Sequence, residues 1–579
     1  MYANKQLLHN EVIQIIKKLI KYSLWIYQQS KSVIWPIIIL TIAGVLASLT
    51  NVFVALASKS LFDSAQYGKV DELLRSALVI ISVVLFQTIM QSIINVLNSK
   101  ISVGINNEMR LKLFRKLSGA QWQFFTKYHS GDLVTRLTSD TEAVVNGITS
   151  VLPDMIALIV NLAVSFIVLI MFDPMLALLA FILGPVSVIM TRLFSGKLSQ
   201  YHLRIQETES ASRGFIQERF SSMHVIKAFG LVQKSSSILS KLQQEKLSWV
   251  IKRTKLSAAS TAFLTLSYWV GFLLALLWGS VKLSRGAATF GTITVFLQLV
   301  GQIQAPFTGL AYSIPQLVVM YASAGRLIEL SDIPEEDNSC HALKWNKSGI
   351  IADKLEFSYD KAIPVLAGTS FNIQPSEFVA ITGTSGKGKT TLIRLLIALL
   401  LPTGGSLRFY NPDTQDSADA GVATRSLVTY VPQGNTLFSG KIIDNVMLGN
   451  ENASNNELIE ALKTACIFDF VDSLPDGTAT AIGENGYGLS EGQAQRLSIA
   501  RALIGRKPVL IFDEATSALD AETELKLLKS IASISPRPTC IIITHRPAAI
   551  DFCDRVFNIS EGVLKENLDL AIDQTAVNN

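Results

Sequence analysis

An all-α, six-helix transmembrane half followed by an α/β P-loop half is the fold class that the sequence predicts, and three observations carry it. Uncharged apolar runs of about 20 residues, the length a bilayer core requires, recur before residue 320 and then cease. From Gly349 onward, short apolar runs alternate with helical stretches, the pattern of an α/β domain. Within that second half, GTSGKGKT (Gly383 to Thr390) stands between the apolar run Phe378–Ile381 and the helical run Leu392–Leu396. Strand, loop and helix in that order are the setting that the phosphate-binding pattern G-x-x-x-x-G-K-[ST] needs.

The totals agree with this division. The 579 residues suffice for several domains, and 49% are hydrophobic while only 17% are charged, below the quarter usual in soluble domains. A net charge of +5 is mild for this length and excludes a nucleic-acid partner from the reading. Cys340, Cys466, Cys540 and Cys553 are far apart or in apolar settings, with neither metal spacing nor a disulfide framework.

Taken in order, the chain opens with Val12, Ile13, Ile15, Ile16, Leu19 and Ile20 at helical spacing beside Lys17, Lys18 and Lys21. This fits an amphipathic helix on the membrane surface, or one packed on its own domain, rather than a cleaved signal. The expected spans are Trp35–Ala57, Ala77–Leu97, Val151–Phe172, Met175–Leu193, Leu256–Val281 and Thr289–Met320, with Asp173-Pro174 turning the third into the fourth. The loops near 100–150 and 192–255 are long and rich in Lys and Arg, and those on the opposite side are short. By the positive-inside rule the long loops, the N-terminus and the C-terminal half are cytosolic, in a multi-pass protein of the inner or plasma membrane. Helical recurrence at Met109, Leu113, Phe114 and Leu117, and again at Phe215, Phe220, Met223 and Ile226, predicts that each long loop is two helices continuing the spans below the bilayer. Gln87, Gln91, Asn95 and Asn98 form one amide stripe, and Gln298, Gln302, Ser313 and Gln316 another. Amides in hydrocarbon face other helices or a wet cavity, so these stripes are either interhelical hydrogen bonds or an almost uncharged wall of a solute path.

The division expected is a membrane domain over 1–330, a polar linker over 331–348 and a nucleotide-binding domain over 349–579. In the last, glycines at Gly383, Gly386 and Gly388 let the backbone N–H groups converge on an anion, with Thr384, Ser385 and Lys387 between them and Thr391 just beyond. Lys389 is placed for the β- and γ-phosphates and Thr390 for Mg²⁺. Tyr359, upstream of the loop, could stack on adenine or be an ordinary core or surface tyrosine. Gln433, at the end of VPQ, can reach Mg²⁺ or the attacking water. Ser490, Gly492 and Gln493 open a helix and offer a second anion site. PVLIFDEATSALD ends a buried strand in Asp513, placed to hold Mg²⁺ through water, and Glu514, placed to polarise the water that attacks a γ-phosphate. His545 follows another buried strand, within reach of the same phosphate.

In this order the stretches resemble the ATP-binding cassette transporters: the loop at Gly383–Thr390, Gln433, LSEGQ at Leu489–Gln493, Asp513-Glu514, Ser517-Ala518-Leu519-Asp520 and His545. Phe124–Asp140, Glu218–Gly230 and Ala322–Leu330 are similar to the two cytosolic loops and the end of the sixth span of exporter-type half-transporters, so the resemblance covers nearly the whole chain. It implies an ATPase that uses ATP and Mg²⁺ to export a solute by alternating access. It also implies cassettes meeting head to tail, each ATP lying between one phosphate loop and the other copy's LSEGQ stretch. With Glu514 and His545 both present, a homodimer with two active sites is the simplest case; a heterodimer with a degraded second subunit stays open. Few basic groups stand in the expected path, which favours a neutral or amphipathic cargo such as a peptide over an anionic lipid, with a flippase as the alternative and an ATP-gated channel as a remoter one. The sequence departs from the family at Glu491, where glycine is usual, and at Lys387, an uncommon cation within the phosphate loop.

Overall fold

The computed structural model describes residues 14, 17, 18, 20–125, 128, 130–337, 341–359, 364–384, 386–483, 486 and 488–567. Most of the N-terminal amphipathic stretch (Val12, Ile13, Ile15, Ile16, Leu19), Cys340 and Ser385 therefore lie outside the described residues. The chain forms two compact units, Met1–Ser118 with Ser130–Asp332, and Gly119–His129 with Ile333–Asn579.

The first unit is helical. Its long helices are α1 (Ile34–Gln66), α2 (Val70–Ser118), α3 (Leu152–Phe172), α4 (Pro174–Ser221), α5 (Val232–Ser284) and α6 (Phe290–Ser331). Among the described residues, five helical segments are long and apolar enough to cross a membrane: α1, α2, Ser130–Phe172, α5 and α6. In α4 the apolar described stretch is the shorter Pro174–Val186. Helices α2, α4 and α5 contain 49, 48 and 53 residues. At 1.5 Å per residue each is about 70–80 Å long, more than twice a bilayer core of about 30 Å. The expected cytosolic extensions are thus the spans themselves, carried on without a break.

Local chemistry explains where these helices begin. Asp173 accepts from the N–H groups of Met175 and Leu176, with Pro174 in the first turn where its missing N–H costs nothing. Thr289 and Thr292 cap each other at the start of α6. Ahead of α3, Arg136–Asp140 and Gly147–Val151 are π-helical turns within an otherwise α-helical run. The first of these holds Asp140, which is buried and binds the Arg326 guanidinium and the Ser323 hydroxyl of α6.

The amide stripes divide in two. Gln87 donates to Oδ1 of Asn51 at 3.1 Å, Gln302 to the Asn51 carbonyl at 2.9 Å, and Ser165 to Gln302 at 3.3 Å. A polar chain therefore crosses α2, α1, α6 and α3, the interhelical reading of these groups. Gln91 and Asn95 bond to each other at 3.1 Å and stay exposed on α2.

Among the described residues the second unit holds twelve strands: β1 (Gly349–Phe357), β2 (Leu366–Ile373), β3 (Phe378–Thr382), β4 (Gly404–Tyr410), β5 (Ser417–Asp419), β6 (Val428–Val431), β7 (Gly440–Lys441), β8 (Ala481–Ile482), β9 (Val509–Asp513), β10 (Thr539–Ile543), β11 (Arg555–Ser560) and β12 (Val563–Glu566). An antiparallel sheet has the order β2-β1-β4-β5, and a mostly parallel one the order β12-β11-β3-β10-β9-β6. The parallel strands alternate between two cores. Phe378, Ala380, Leu510, Phe512, Cys540 and Ile542 join the core on the helical side; Val379, Ile381, Val509, Ile511, Ile541 and Ile543 join the core under the antiparallel sheet. Period-two side chains covered on both faces are what a near-continuous apolar run means in a parallel sheet. Each fully buried Phe, Leu or Ile here stabilises by roughly 1.5–3 kcal/mol, so the strand ends are held firmly.

Within the stretch expected to be a linker, Glu336 and Leu343 make contacts inside this unit. Arg425 binds both oxygens of Glu336 and the carbonyl of Ala398, and Leu343 bonds with Ser426. The segment Gly119–His129 also belongs here: Gln121 donates to the Pro334 carbonyl, and Trp122 packs against the core under the antiparallel sheet.

Candidate nucleotide site

Four adjacent parallel strands, β3, β10, β9 and β6, bring their C-terminal ends to one edge of the sheet. In strand order, that edge presents the phosphate loop, His545, the pair Asp513-Glu514, and Gln433. Residues 162 positions apart in the chain become neighbours because Ile543 is paired with both Ile381 and Asp513.

The loop takes the shape its glycines allow. Gly383, Gly386 and Gly388 have φ of +142°, +81° and +107°. A Cβ at Gly383 would also meet Ile559 at 2.6 Å, so glycine is needed there for space as well as conformation. Helix α7 (Lys389–Leu396) starts directly behind, with Gly388 at its N-cap. The Lys389 ammonium lies 2.5 Å from the Gly383 carbonyl and 2.8 Å from Nε2 of His545. The carbonyl is a neutral acceptor, and a phosphate oxygen, being charged, is a stronger one. Lys387 and Thr390 are exposed, as is Thr384. Thr391 is buried, its hydroxyl 3.4 Å from that of Tyr359, which also accepts from Arg394 at 3.0 Å. The Tyr359 ring stands edge-on to Phe357 and is 52% exposed, so its outer face is available for stacking.

Beyond His545, Gln433 donates to Oε2 of Glu514 at 2.7 Å. Glu514 has φ of +51°, a left-handed conformation that costs of order 1 kcal/mol for a side-chain-bearing residue and clusters at functional sites. Its N–H is satisfied by the Ile543 carbonyl at 2.9 Å. The Tyr430 hydroxyl donates to Oδ2 of Asp513 at 3.1 Å. Burial pushes the Asp513 carboxyl above its usual range and the Glu514 charge adds to this, while Tyr430, Lys389 and Arg394 act the other way. Burial likewise raises the Tyr430 phenol. A carboxylate, a hydroxyl and an amide oxygen, as on Asp513, Thr390 and Gln433, are hard-oxygen donors of the kind Mg²⁺ takes.

Sequence reasoning missed Tyr430, Arg394 and Arg546. Tyr430 and Arg394 carry no motif; only the strand pairing and the helix turn bring them in. Arg546 is adjacent to His545 and reaches back to the carbonyls of Thr516 and Leu519, at 2.7 and 2.5 Å, and to Glu524, which is fully buried, at 3.2 Å. It thereby fixes the turn after Glu514. Ser490, Gly492 and Gln493 stand apart from the strand ends, at the start of α8 (Glu491–Leu503). Ser490 accepts from the Gln493 N–H, while the Gln493 side chain accepts from that of Ser490. Gly492 passes the Ala518 carbonyl so closely that a Cβ would lie 3.1 Å from it.

Family comparison joins the two units. Residues 37–307 match the model of the ABC transporter transmembrane region, and residues 366–517 match that of the ABC transporter. A Rickettsia bellii chain named as an export ATP-binding/permease protein is 30% identical over 473 residues, spanning 81% of each chain. The chain belongs to the ABC transporter family. It is an exporter-type half-transporter, one helical membrane domain with one nucleotide-binding domain, and it is a transport ATPase that uses ATP. This ABC exporter is also 29% identical over 541 residues to an ATP-dependent lipid A-core flippase of Chromobacterium violaceum, covering 92% of this chain and 91% of that one. A flippase of the same name from Syntrophus aciditrophicus is 29% identical over 481 residues, 81% of this chain and 78% of that one. The structure of a bacterial Atm1-family ABC exporter with ATP bound has the same fold, with a TM-score of 0.79 at 22% identity over 94% of this chain and 97% of that one.

Proposed function

We propose that this ABC exporter works as a homodimer in the inner or plasma membrane, with its N-terminus and ATPase domain in the cytosol. Two ATP molecules are shared between the copies, each between the Gly383–Thr390 loop of one and the Ser490, Gly492 and Gln493 helix start of the other. The convergence of Lys389, His545, Glu514 and Gln433 on four neighbouring strand ends is the observation that carries this reading. Lys389 and the loop N–H groups bind the phosphates, Tyr359 stacks on the adenine, Glu514 takes the proton of the attacking water, and His545 and Gln433 position the reacting groups. Thr390, Gln433 and Asp513 would hold Mg²⁺, which supplies charge neutralisation at the phosphates when bound. ATP binding draws the cassettes together, and the long helices carry that movement to a cavity that alternates between the two sides.

The division at 1–330, 331–348 and 349–579 serves this cycle, with the linker and Gly119–His129 as the segments through which the motor is attached. The cargo is neutral or amphipathic, a peptide being the first candidate, because the polar groups on the spans are amides. A lipid cargo is the second reading, favoured by the flippase names of two relatives. Chain carrying Glu514→Gln, supplied with ATP and Mg²⁺, should accumulate as a dimer by analytical ultracentrifugation. Wild-type chain that turns over ATP and moves solute while monomeric would overturn the proposal.

A further inference from the structure

We propose that Glu336 and Arg425 are positioning residues of the ATPase cycle, linking the phosphate loop to the places where the chain enters the second unit. Nucleotide bound beside Lys389 is thereby registered at Gly119–Gln121 and Pro334–Glu336, a role that rests on the loop being the ATP site as proposed above. The chain passes between the two units after Ser118, after His129 and after Asp332. Two of these passages are fastened to each other inside the second unit. Gln121 donates its N–H to the Pro334 carbonyl at 3.3 Å, and Glu336 donates its own to the Gly119 carbonyl at 2.8 Å. Ala120 and Glu335 form the antiparallel bridge between those two bonds. Helix α2 ends at Ser118 and α6 at Ser331, so two long helices run into one backbone clasp.

From that clasp the Glu336 carboxylate accepts from Nη1 of Arg425 at 2.5 Å and from Nη2 at 2.8 Å. Bidentate, charge-assisted pairing fixes direction as well as distance. The rest of the guanidinium is committed to α7: Nε donates to the Ile397 carbonyl at 3.2 Å, and Nη2 to the Ala398 carbonyl at 2.6 Å. These carbonyls lie at the C-terminal end of the helix, where C=O groups lack partners and a cation is favoured. The N–H groups of Ala398 and Leu399 return to the carbonyls of Leu395 and Arg394, and Ala398 has φ of +52°. That is a helix end which glycine usually closes, and a Cβ disfavours it. Arg425 braces this turn from outside. Helix α7 has eight residues, about 12 Å, so a shift at its last turn is carried to Lys389 and Thr390 at its first. Arg425 itself lies in the turn Ala423–Leu427, which runs directly into β6 and so toward Gln433. One guanidinium therefore joins the chain entry, the helix behind the phosphate loop and the approach to Gln433. A plain tether would not need it, since Leu343 and Ser426 already fasten the linker beside it.

The test is hydrogen exchange on the full chain in lipid discs, with and without a non-hydrolysable ATP analogue and Mg²⁺, beside a binding titration of the same analogue. In the wild type the analogue should slow exchange at the amides of positions 121 and 336 by about fivefold or more, the lower end of ordinary coupling between sites. Glu336→Gln keeps the shape and removes the charge; it should still bind the analogue but lose the slowing. Glu336→Asp, which retains the carboxylate, should restore part of it. Ser426→Ala, which loosens the linker at its other attachment, should retain it in full. Slowing that persists in Glu336→Gln, that is absent from the wild type with analogue bound, that Glu336→Asp fails to restore, or that Ser426→Ala also abolishes would each overturn the proposal. So would loss of analogue binding in Glu336→Gln, because the pair would then be part of the site's own framework. A wild-type chain that binds no analogue at all would sink the ATP-site reading, and this proposal with it.

Discussion

Gln433 Nε2 donates to Oε2 of Glu514 across 2.7 Å, so the ends of β6 and β9 share one hydrogen bond at the centre of the candidate nucleotide site. The bond aims a carboxylate whose backbone is already held in a left-handed conformation. Glu514→Gln keeps the shape and removes the base. Steady ATP turnover should fall by about 10²-fold or more while nucleotide binding persists, measured by phosphate release and by binding of a fluorescent ATP analogue. Unchanged turnover would remove Glu514 from the role given to it.

Variants of Lys389 and His545 should separate binding from chemistry. The Lys389 ammonium contacts the loop's own Gly383 carbonyl and His545, and phosphate would compete for it. Lys389→Ala should weaken ATP binding itself. His545→Ala leaves that cation in place, so its effect should fall on turnover more than on affinity. Equal losses of affinity in the two variants, in parallel binding titrations, would contradict this split.

Arg546 supports the site through the turn it holds. Glu524 has a fully buried side chain, and Arg546 is the cation 3.2 Å from it. Arg546→Ala should cost about 3 kcal/mol or more, because a buried carboxylate is left uncompensated and the carbonyls of Thr516, Ser517 and Leu519 lose a donor. Adding Glu524→Gln should recover part of the loss, since the remaining group is neutral. Thermal unfolding of the nucleotide-binding unit within the full chain, followed by hydrogen exchange in α9 (Ala521–Ala532), reads both effects.

The Asp513 carboxyl, raised by burial, sets a pH dependence of definite sign. Its folded-state pKa lies above the unfolded one, so its contribution to stability is full below the unfolded pKa and is lost as pH rises through the folded pKa. Mg²⁺ needs the ionised form, so Mg²⁺-dependent nucleotide binding should weaken on acidification sooner than an ordinary carboxylate would require. Tyr430→Phe removes a hydrogen bond that favours the ionised form and should move the midpoint to higher pH. A midpoint that moves down, or a turnover that survives chelation of Mg²⁺, would refute this account.

How much of this was legible depended on range. The loop at Gly383–Thr390, Asp513-Glu514 and His545 were readable because each is a local pattern at a strand end, and parallel strands fix where such ends meet. The long spans were readable because hydrocarbon permits little else. What the sequence hid was long-range. Asp140 and Arg326 are 186 residues apart, and nothing local announces their contact. The attachment of Gly119–His129 to the second unit depends on Trp122 finding a core built largely from strands beyond residue 349. Gln304 is buried on α6 with Gly271 leaving space for it, yet only Gln298, Gln302, Ser313 and Gln316 suggested a stripe, because helical spacing alone does not rank burial.

Glu491 and Lys387 offer the sharpest test of pairing between copies. Both are exposed, at the start of α8 and in the phosphate loop. Within one chain, Ser490 and Gln493 satisfy each other, so the Glu491 carboxylate takes no part in that cap. Facing the phosphates of a second copy it would repel them, and Lys387 beside those phosphates would offset the repulsion. Glu491→Gly and Lys387→Ser should then couple in a double-mutant cycle of ATPase rate, by about 0.5 kcal/mol or more, since residues of one electrostatic network are not additive. The coupling should shrink as salt rises, because exposed charges are screened. Simple additivity at low salt would show that the two departures from the family pattern are unrelated.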